Sequence, residues 1–156
     1  MLKVICLPVP VISVGNITLG GTGKTPFVEH IARYLQEKGK KGAILSRGYA
    51  AAIRQKSGDS THSACNDEYL VFRENIPYMP NLLSKDRVAA GLEAIRDFQV
   101  GCLLLDDGFQ HLRLARDLDI VIVDALNPFG YNCLVPRGLL REPLEALKRA
   151  DVIALT

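Results

Sequence analysis

The sequence has no large excess of positive or negative charge. Its 19 lysine and arginine residues stand against 17 aspartate and glutamate residues, which gives a formal net charge of +2 at pH 7. A balance this even gives no support to nucleic-acid binding, which normally needs a clearly basic surface. We therefore expect no nucleic-acid partner.

The sequence also lacks a hydrophobic run that could cross a membrane. Its first uncharged stretch covers residues 4–23, but that stretch contains Pro8, Pro10 and four glycines, which are incompatible with a membrane helix. It has no small-residue cleavage site of a secretory signal peptide either. We therefore expect a cytoplasmic protein.

Closely spaced cysteines are missing as well. No two cysteines stand in a CxxC pattern, which excludes the zinc and redox motifs of that spacing. We expect reduced and mostly buried thiols. The four cysteines are Cys6, Cys65, Cys102 and Cys133.

Short apolar runs alternate with amphipathic stretches along the chain. The length of 156 residues, with 48% hydrophobic and 23% charged residues, is typical of one globular domain. The alternation predicts an α/β fold with a mainly parallel sheet flanked by helices. Because the chain stops at the end of a predicted strand, we expect further protein to follow. The patterns predict strands over 9–14, 42–46, 101–106, 119–124 and 151–155, helices over 24–38, 67–73, 84–96 and 144–149, and loops over 50–65 and 127–141.

Three residues mark helix boundaries. Pro26 suits the first turn of the first helix, where no intrahelical donor is needed. Gly39 is expected to end that helix. Ser84 is a candidate cap for the third helix.

The strongest local signal is the segment Gly20-Gly21-Thr22-Gly23-Lys24-Thr25, which follows a predicted strand and opens a helix. Glycines let the backbone surround a phosphate, and the helix start adds free N–H groups and a positive dipole end. In such a loop the lysine contacts the outer phosphates and the hydroxyl of Thr25 binds Mg²⁺. The segment predicts a P-loop nucleotide site, although Thr18 replaces the first glycine of the usual motif. The alternative is a glycine-rich turn without a ligand.

Acidic residues follow two of the predicted strands. Asp106 and Asp107 end the strand over 101–106, and Asp124 ends the next one. Ligands gather at the carboxyl ends of parallel strands, so the adjacent pair is the better candidate for holding Mg²⁺. The alternative is that these acids start turns or cap helices.

Histidine provides one further candidate. His111 follows the acidic pair closely, and near phosphates it could donate hydrogen bonds or transfer a proton. By itself it is typical of an ordinary loop histidine. We expect His30 and His62 to have no part in the phosphate site.

Seven segments in order make the chain resemble the tetraacyldisaccharide 4'-kinase family of lipid A biosynthesis. The combination of DDGFQH with LREPL is more specific than the phosphate loop alone. The matching segments are PVISVGNITLGGTGKTP (10–26), LSRGY (45–49), NDE (66–68), KDRVAAG (85–91), LDDGFQH (105–111), RDLDIVIVDA (116–125) and LREPLEALKRAD (140–151).

The resemblance implies transfer of the ATP γ-phosphoryl group to the 4'-hydroxyl of a tetraacylated glucosamine disaccharide 1-phosphate, which gives lipid IVA. It also implies a magnesium cofactor and a peripheral location on the cytoplasmic face of the inner membrane. Lys24 and Thr25 match the family's phosphate-loop lysine and magnesium hydroxyl. Asp106 and Asp107 match its acidic pair near the metal.

Further site residues rest on the same resemblance. Gln110 and His111 extend the acidic motif. Asp67 falls where the family carries a proposed base for the sugar hydroxyl, although its position alone favours a helix cap. Polar residues of the active-site rim correspond to Arg87, Arg141 and Glu142, the last of which could bind metal.

The chain departs from the family pattern at several points. Members are about twice as long, usually begin with an apolar membrane-associating segment, and continue into a second domain that closes over the nucleotide. We therefore expect residues 1–156 to be the P-loop kinase core without that second domain. Residues that differ from the family's usual ones are Ala50, Asn66, Tyr69 and Leu139.

Two other functions are compatible with a phosphate loop. One is a deviant P-loop ATPase of the partitioning or assembly type, although Leu19 stands where those proteins typically carry a lysine. The other is a nucleotide-binding fragment that performs no catalysis.

Overall fold

A computed structural model describes residues 3–48 and 67–156, and within the second range it excludes the side chains of Asp67 and Glu68. The predicted loop over 50–65, with Cys65 and His62, lies outside these residues. The strands are β1 (Val11–Gly15), β2 (Gly42–Ser46), β3 (Asn81–Leu83), β4 (Cys102–Asp106), β5 (Leu118–Val123) and β6 (Val152–Leu155). The helices are α1 (Lys24–Glu37), α2 (Asp67–Asn75) and α3 (Arg87–Phe98), with 3-10 helices at Gly130–Asn132 and Leu144–Arg149.

The strands form one parallel sheet of six strands in the order β3-β2-β4-β1-β5-β6. Helices cover both faces: Val28 of α1 packs in one apolar cluster with Leu104, whereas Val88 of α3 packs in another with Leu103. Consecutive residues of a strand point to opposite faces, so a strand buried on both faces is apolar throughout. The predicted α/β fold with a mainly parallel sheet is confirmed.

The start of α3 differs from the prediction. Asp86, not Ser84, is the N-cap, because its carboxylate accepts hydrogen bonds from the amides of Val88 and Ala89 at 3.0 and 3.1 Å. Ser84 lies two residues earlier, and its hydroxyl accepts from the amide of Asp86 at 3.1 Å. The sequence does not show which of these two side chains caps the helix, since only the backbone geometry decides which one reaches the free amides.

The end of α1 agrees with the prediction. Gly39 has a φ of +66°, and its amide donates to the carbonyl of Gln36 while the amide of Lys40 donates to that of Leu35, both at 2.8 Å. The left-handed conformation suits glycine and turns the chain toward β2.

Strand β3 was not predicted. It has three residues and pairs only with β2 among the described strands. Its sequence is too short for a periodic pattern, so its state is decided by pairing with a neighbour distant in sequence.

The thiol prediction is partly wrong. Cys102 is buried, but Cys133 is half-buried and Cys6 is exposed, and all three are free thiols.

Among the described helices, none has the length and apolar character needed to cross a membrane.

Candidate functional site

The phosphate loop connects the carboxyl end of β1 to the first turn of α1. Gly20 and Gly23 have φ angles of +119° and +77°, which glycine adopts without the steric cost of a side chain. A Cβ atom at Gly20 or Gly21 would meet nothing within 4 Å, so this part of the loop faces open space. Gly23 caps α1 without a side chain, which leaves the amides of the first helical turn available to a phosphate.

The predicted acidic pair lies next to this loop. Parallel pairing places Asp106 of β4 beside Val14 of β1, so both carboxyl ends meet at the same edge of the sheet. Asp106 is almost completely buried, whereas Asp107 adopts a left-handed φ of +51° and turns out of the strand. The sequence prediction that strand-end acids adjoin the phosphate loop agrees with this geometry.

Asp107 contacts two cations of the site. Its carboxylate accepts two hydrogen bonds from the Arg141 guanidinium, at 2.7 and 3.1 Å, and the Nζ of Lys24 lies 3.8 Å from Oδ1. Burial raises the pKa of Asp107, but the hydrogen bonds and charge of Arg141 and the charge of Lys24 outweigh it, so the pKa is lowered overall. Asp107 is therefore ionised at neutral pH. It pairs with Arg141 and Lys24, two cations that could also bind a phosphate.

Asn16 connects this ion pair to the phosphate loop. It is fully buried, its Nδ2 donates to the hydroxyl of Thr22 at 3.0 Å, and its Oδ1 accepts from Arg141 at 3.1 Å. Its backbone carbonyl accepts from Gln110 at 2.8 Å. Residue-level reasoning missed Asn16, although it lies within the segment 10–26 that carries the family resemblance.

Arg87 is buried beside the carboxyl ends of β2 and β4, whereas the resemblance assigns it to the active-site rim. It is 3% exposed and donates to the backbone carbonyls of Ser46, Ser84 and Asp106. Burial lowers the pKa of Arg87 to about 10, against the opposing effect of the Asp106 and Asp107 charges. The guanidinium thus stabilises the carboxyl ends of β2 and β4 in a fixed arrangement.

Both carboxylate oxygens of Glu142 have hydrogen-bond partners in this structure. Its carboxylate accepts from Gln110 at 2.9 Å and from Arg149 at 2.8 Å. Within the described part of the chain, no three His, Cys, Asp or Glu side chains converge on a point that could hold a metal ion. The structure therefore does not bring Asp106, Asp107 and Glu142 together as one carboxylate cluster.

His111 is half-buried, and its Nε2 has no hydrogen-bond partner within residues 3–48 and 67–156. Burial and the nearby charges of Arg87 and Arg116 lower the pKa of His111, which keeps the ring neutral at pH 7. Its Nε2 is shielded from solvent by the described part of the chain, and its role in proton transfer stays a prediction.

Asp67 and Asp124 are the two remaining acidic candidates from the sequence. Asp67 is the first residue of α2, but its side chain lies outside the described residues, so its role as a base stays a prediction. Asp124 accepts a hydrogen bond from the amide of Leu126 at 2.9 Å, which is the turn-starting role considered as its alternative.

A strand, a glycine loop and a helix, with acidic residues at the end of the neighbouring parallel strand, define a P-loop nucleotide-binding α/β domain. A sequence profile of the family "Tetraacyldisaccharide-1-P 4'-kinase" (LpxK) matches residues 1–156. The chain belongs to this family.

Individual relatives agree with this assignment. Tetraacyldisaccharide 4'-kinase of Pelobacter propionicus is 43% identical over all of this chain and 45% of its own length, and that of Geobacter metallireducens is 44% identical over 94% of this chain and 46% of its own. The structure of LpxK from Aquifex aeolicus, an "apo" form in complex with ATP, matches with a TM-score of 0.83 and 39% identity, over 99% of this chain and 50% of that one. The chain thus spans about half the length of the relatives it matches.

Proposed function

We propose that this chain is the ATP-binding core of a kinase that transfers the ATP γ-phosphoryl group to the 4'-hydroxyl of a tetraacyldisaccharide 1-phosphate, giving lipid IVA. The observation that carries the proposal is the arrangement of Lys24 and Arg141 around Asp107 beside an open phosphate loop. Family membership supports the acceptor. We assign the phosphate-binding core of this kinase to residues 1–156.

ATP is held mainly by backbone donors and one lysine. The loop amides from Gly20 to Thr25 surround the β- and γ-phosphates, and Lys24 contacts the outer phosphate oxygens. The Arg141 guanidinium shares the Asp107 carboxylate with that lysine. If the phosphoryl group replaces Asp107 as its partner, the planar fork of Arg141 suits two of the phosphoryl oxygens. Positioning and charge neutralisation of this kind supply most of the rate in phosphoryl transfer.

The donor set of the site fits Mg²⁺, which prefers oxygen ligands and usually keeps several waters. A hydroxyl at Thr25 and carboxylates at Asp106 and Asp107 would hold the ion next to the phosphates, where it would supply positive charge to the triphosphate. Glu142 orients Gln110 in this arrangement, through the hydrogen bond between them.

The transfer step needs a proton acceptor for the sugar hydroxyl. In the proposal, the Asp67 carboxylate takes that proton as the hydroxyl oxygen bonds to the γ-phosphorus and the bond from phosphorus to the β,γ-bridging oxygen breaks, releasing ADP. Arg87 acts indirectly, by fixing the strand end that carries the acidic pair.

Reaction with a lipid acceptor requires access to a membrane surface. We therefore infer that the protein acts peripherally, on the cytoplasmic face of the inner membrane. The deviant ATPase alternative has no supporting observation, whereas nucleotide binding without transfer is a possible outcome of the test below.

The test measures ATP binding and phosphoryl transfer separately. Titration calorimetry with ATP and Mg²⁺ should detect binding that Lys24→Ala abolishes and that Lys38→Ala, at the opposite end of α1, preserves. Radiolabelled ATP should then label the 4'-position of the tetraacyldisaccharide in detergent. Asp67→Asn should lower kcat by about 10²–10⁴-fold, the range for a lost general base, with little change in ATP affinity. ATP binding without label transfer at any acceptor concentration would favour the nucleotide-binding fragment.

A further inference from the structure

One loop of this protein exposes an unusual amount of apolar surface. We call residues 125–136 the apolar loop, because no charged residue occurs between Asp124 and Arg137. Within it Leu126 is 96% and Tyr131 72% exposed, and Phe129, Leu134 and Val135 are each exposed by more than two-fifths. Isolated apolar residues are common on protein surfaces, but a contiguous patch indicates an interaction site.

The apolar loop has a defined conformation. Its backbone is closed by hydrogen bonds from Asn132 to Phe129, Leu139 to Gly130 and Leu140 to Cys133, at 2.8 to 3.0 Å. A Cβ atom on Gly138 would lie 2.2 Å from the Cys133 carbonyl oxygen, so the backbone folds tightly around this glycine.

Tyr131 and Asn132 in the apolar loop adopt φ angles of +65° and +56°. Non-glycine residues hold this conformation only where the surrounding structure imposes it. The result is a rigid turn that displays its largest aromatic side chain to solvent.

The segment that follows the apolar loop connects it to the start of the phosphate loop, since Leu140 forms β-bridges with both Leu134 and Thr18. The amide of Leu19 donates to the carbonyl of Leu139, and the amide of Arg141 donates to that of Ile17, both at 2.7 Å. Leu19 is itself half-exposed and adds apolar surface next to the loop. A lipid surface in contact with the apolar loop would therefore lie close to the phosphate site.

We propose that the apolar loop inserts into the interfacial region of an anionic lipid bilayer. Internal backbone hydrogen bonds reduce the cost of entering a low-dielectric region, where unpaired polar groups are costly. Tyrosine favours the boundary between headgroups and acyl chains. Arg137 is exposed at the end of the loop, and within residues 3–48 and 67–156 no carboxylate forms an ion pair with it, so its charge can meet anionic headgroups.

This inference rests on the proposed function, because membrane contact is useful to an enzyme whose acceptor carries acyl chains and lies in a membrane. Its physical test is independent of catalysis. A second copy of this chain is the other occupant considered for this surface, and the experiments below separate it from a lipid bilayer.

The absence of tryptophan from the sequence provides a direct probe of insertion. Tyr131→Trp places a single tryptophan in the apolar loop, and Tyr34→Trp places one on α1, where the native tyrosine is 53% exposed. With vesicles of phosphatidylglycerol and phosphatidylethanolamine, the tryptophan at 131 should shift its emission to the blue and be quenched by brominated acyl chains. The tryptophan at 34 should show neither effect.

A sedimentation assay with the same vesicles provides the matched loss-of-binding test. The triple variant Leu126→Ser, Tyr131→Ser, Leu134→Ser should lower vesicle affinity by about tenfold or more, given the apolar area removed. The control, Leu92→Ser with Tyr34→Ser, removes exposed apolar groups from α3 and α1 and should bind as the unchanged chain does. Arg137→Gln should weaken binding to anionic vesicles and leave the weaker binding to phosphatidylcholine vesicles unaltered.

Three results would overturn the proposal. The first is an unshifted emission from the tryptophan at 131 in the presence of vesicles, and the second is undiminished sedimentation of the triple variant. The third is a concentration-dependent dimer that forms in the unchanged chain and in the control variant but not in the triple variant, which would assign the loop to contact with a second copy. ATP binding measured on the same samples keeps the two proposals apart. Vesicle insertion without ATP binding would contradict the proposed function alone, and ATP binding without insertion would contradict this inference alone.

Discussion

At the scale of single residues, Asn16 connects two parts of the site that lie far apart in sequence. Its side chain joins Thr22 of the phosphate loop to Arg141, 125 residues away in sequence. Arg141 in turn holds Asp107. One buried amide therefore couples the conformation of the phosphate loop to the position of the charged groups beside it.

We predict that Asn16→Ala destabilises the fold by about 1–3 kcal/mol, because it leaves buried polar partners without a hydrogen bond. It should also weaken ATP binding, since Thr22 and Arg141 lose a shared partner. Urea unfolding and calorimetry measure the two effects. Asn75→Ala is the control, because Asn75 donates to Glu29 at the surface, and its loss should stay within about 0.5 kcal/mol. Equal effects of the two substitutions would contradict the assigned role of Asn16.

A second prediction at the scale of residues concerns Asp107 and the pH dependence of stability. Its pKa is lowered in the folded protein, so its stabilising contribution is complete above the unfolded pKa of about 3.9. It is lost as the pH falls through the lower folded value. Urea unfolding at several pH values should therefore show stability falling less steeply below pH about 4 in Asp107→Asn than in the unchanged chain.

Asp97→Asn is the control for this pH series. Asp97 forms an exposed ion pair with Arg96, and exposed pairs contribute little to stability. The Arg96 hydrogen bond also lowers the pKa of Asp97, but because solvent screens this exposed pair, its substitution should change the acid profile much less than Asp107→Asn does. Parallel acid profiles for Asp107→Asn and the unchanged chain would refute the coupling of Asp107 to Arg141 and Lys24.

At the scale of elements, the end of β1 is fitted closely to the segment after β4. A Cβ atom on Gly15 would lie 2.5 Å from the Cβ and 2.7 Å from the amide nitrogen of Phe109. Phe109 is fully buried and cannot move aside. The close approach keeps the phosphate loop next to the segment that follows the acidic pair.

Gly15→Ala should therefore destabilise the protein by about 1–3 kcal/mol, the cost of overpacking a tight contact. Gly21→Ala is the matched control in the same loop, since a Cβ there would meet nothing within 4 Å. Thermal and urea unfolding of both variants check the difference. If Gly15→Ala were as stable as Gly21→Ala, β1 and the Phe109 segment would have to be less closely packed than described.

At the scale of the whole molecule, the six-stranded sheet brings distant segments to one edge. β1 lies between β4 and β5, so the phosphate loop, the acidic pair and the 125–141 segment all start from neighbouring carboxyl ends. Parallel sheets of this kind bind ligands at that edge. A ligand that spans these segments should stabilise the entire fold.

We predict that Mg·ATP raises the unfolding temperature of the chain. Ligand binding to the folded state alone stabilises it by about 2.7 kcal/mol at a concentration about 100 times Kd. Differential scanning calorimetry with increasing nucleotide measures the shift. Lys24→Ala should abolish the shift and Lys38→Ala should retain it. An equal shift in both variants would place nucleotide binding elsewhere on the chain.

Local features of this protein were determined by the sequence itself. The phosphate loop, the end of α1 at Gly39 and the apolar strands could be predicted, because glycine conformation, helix starts and strand burial depend on neighbouring residues. The acidic pair could be placed near the loop because parallel strands share one carboxyl edge.

Other features were decided only by the tertiary structure. The burial of Arg87, strand β3 and the bond from Gln110 to Glu142 depend on contacts between segments far apart in sequence, which no local pattern encodes. The cap at Asp86 is a local contact, but it depends on backbone geometry that the sequence does not show. The role of Asn16 also depends on distant contacts, because its amide acquires that role only when the sheet brings the segment around Arg141 against the phosphate loop. A polar side chain buried in this way is stable only with partners, and folding alone determines which partners it meets.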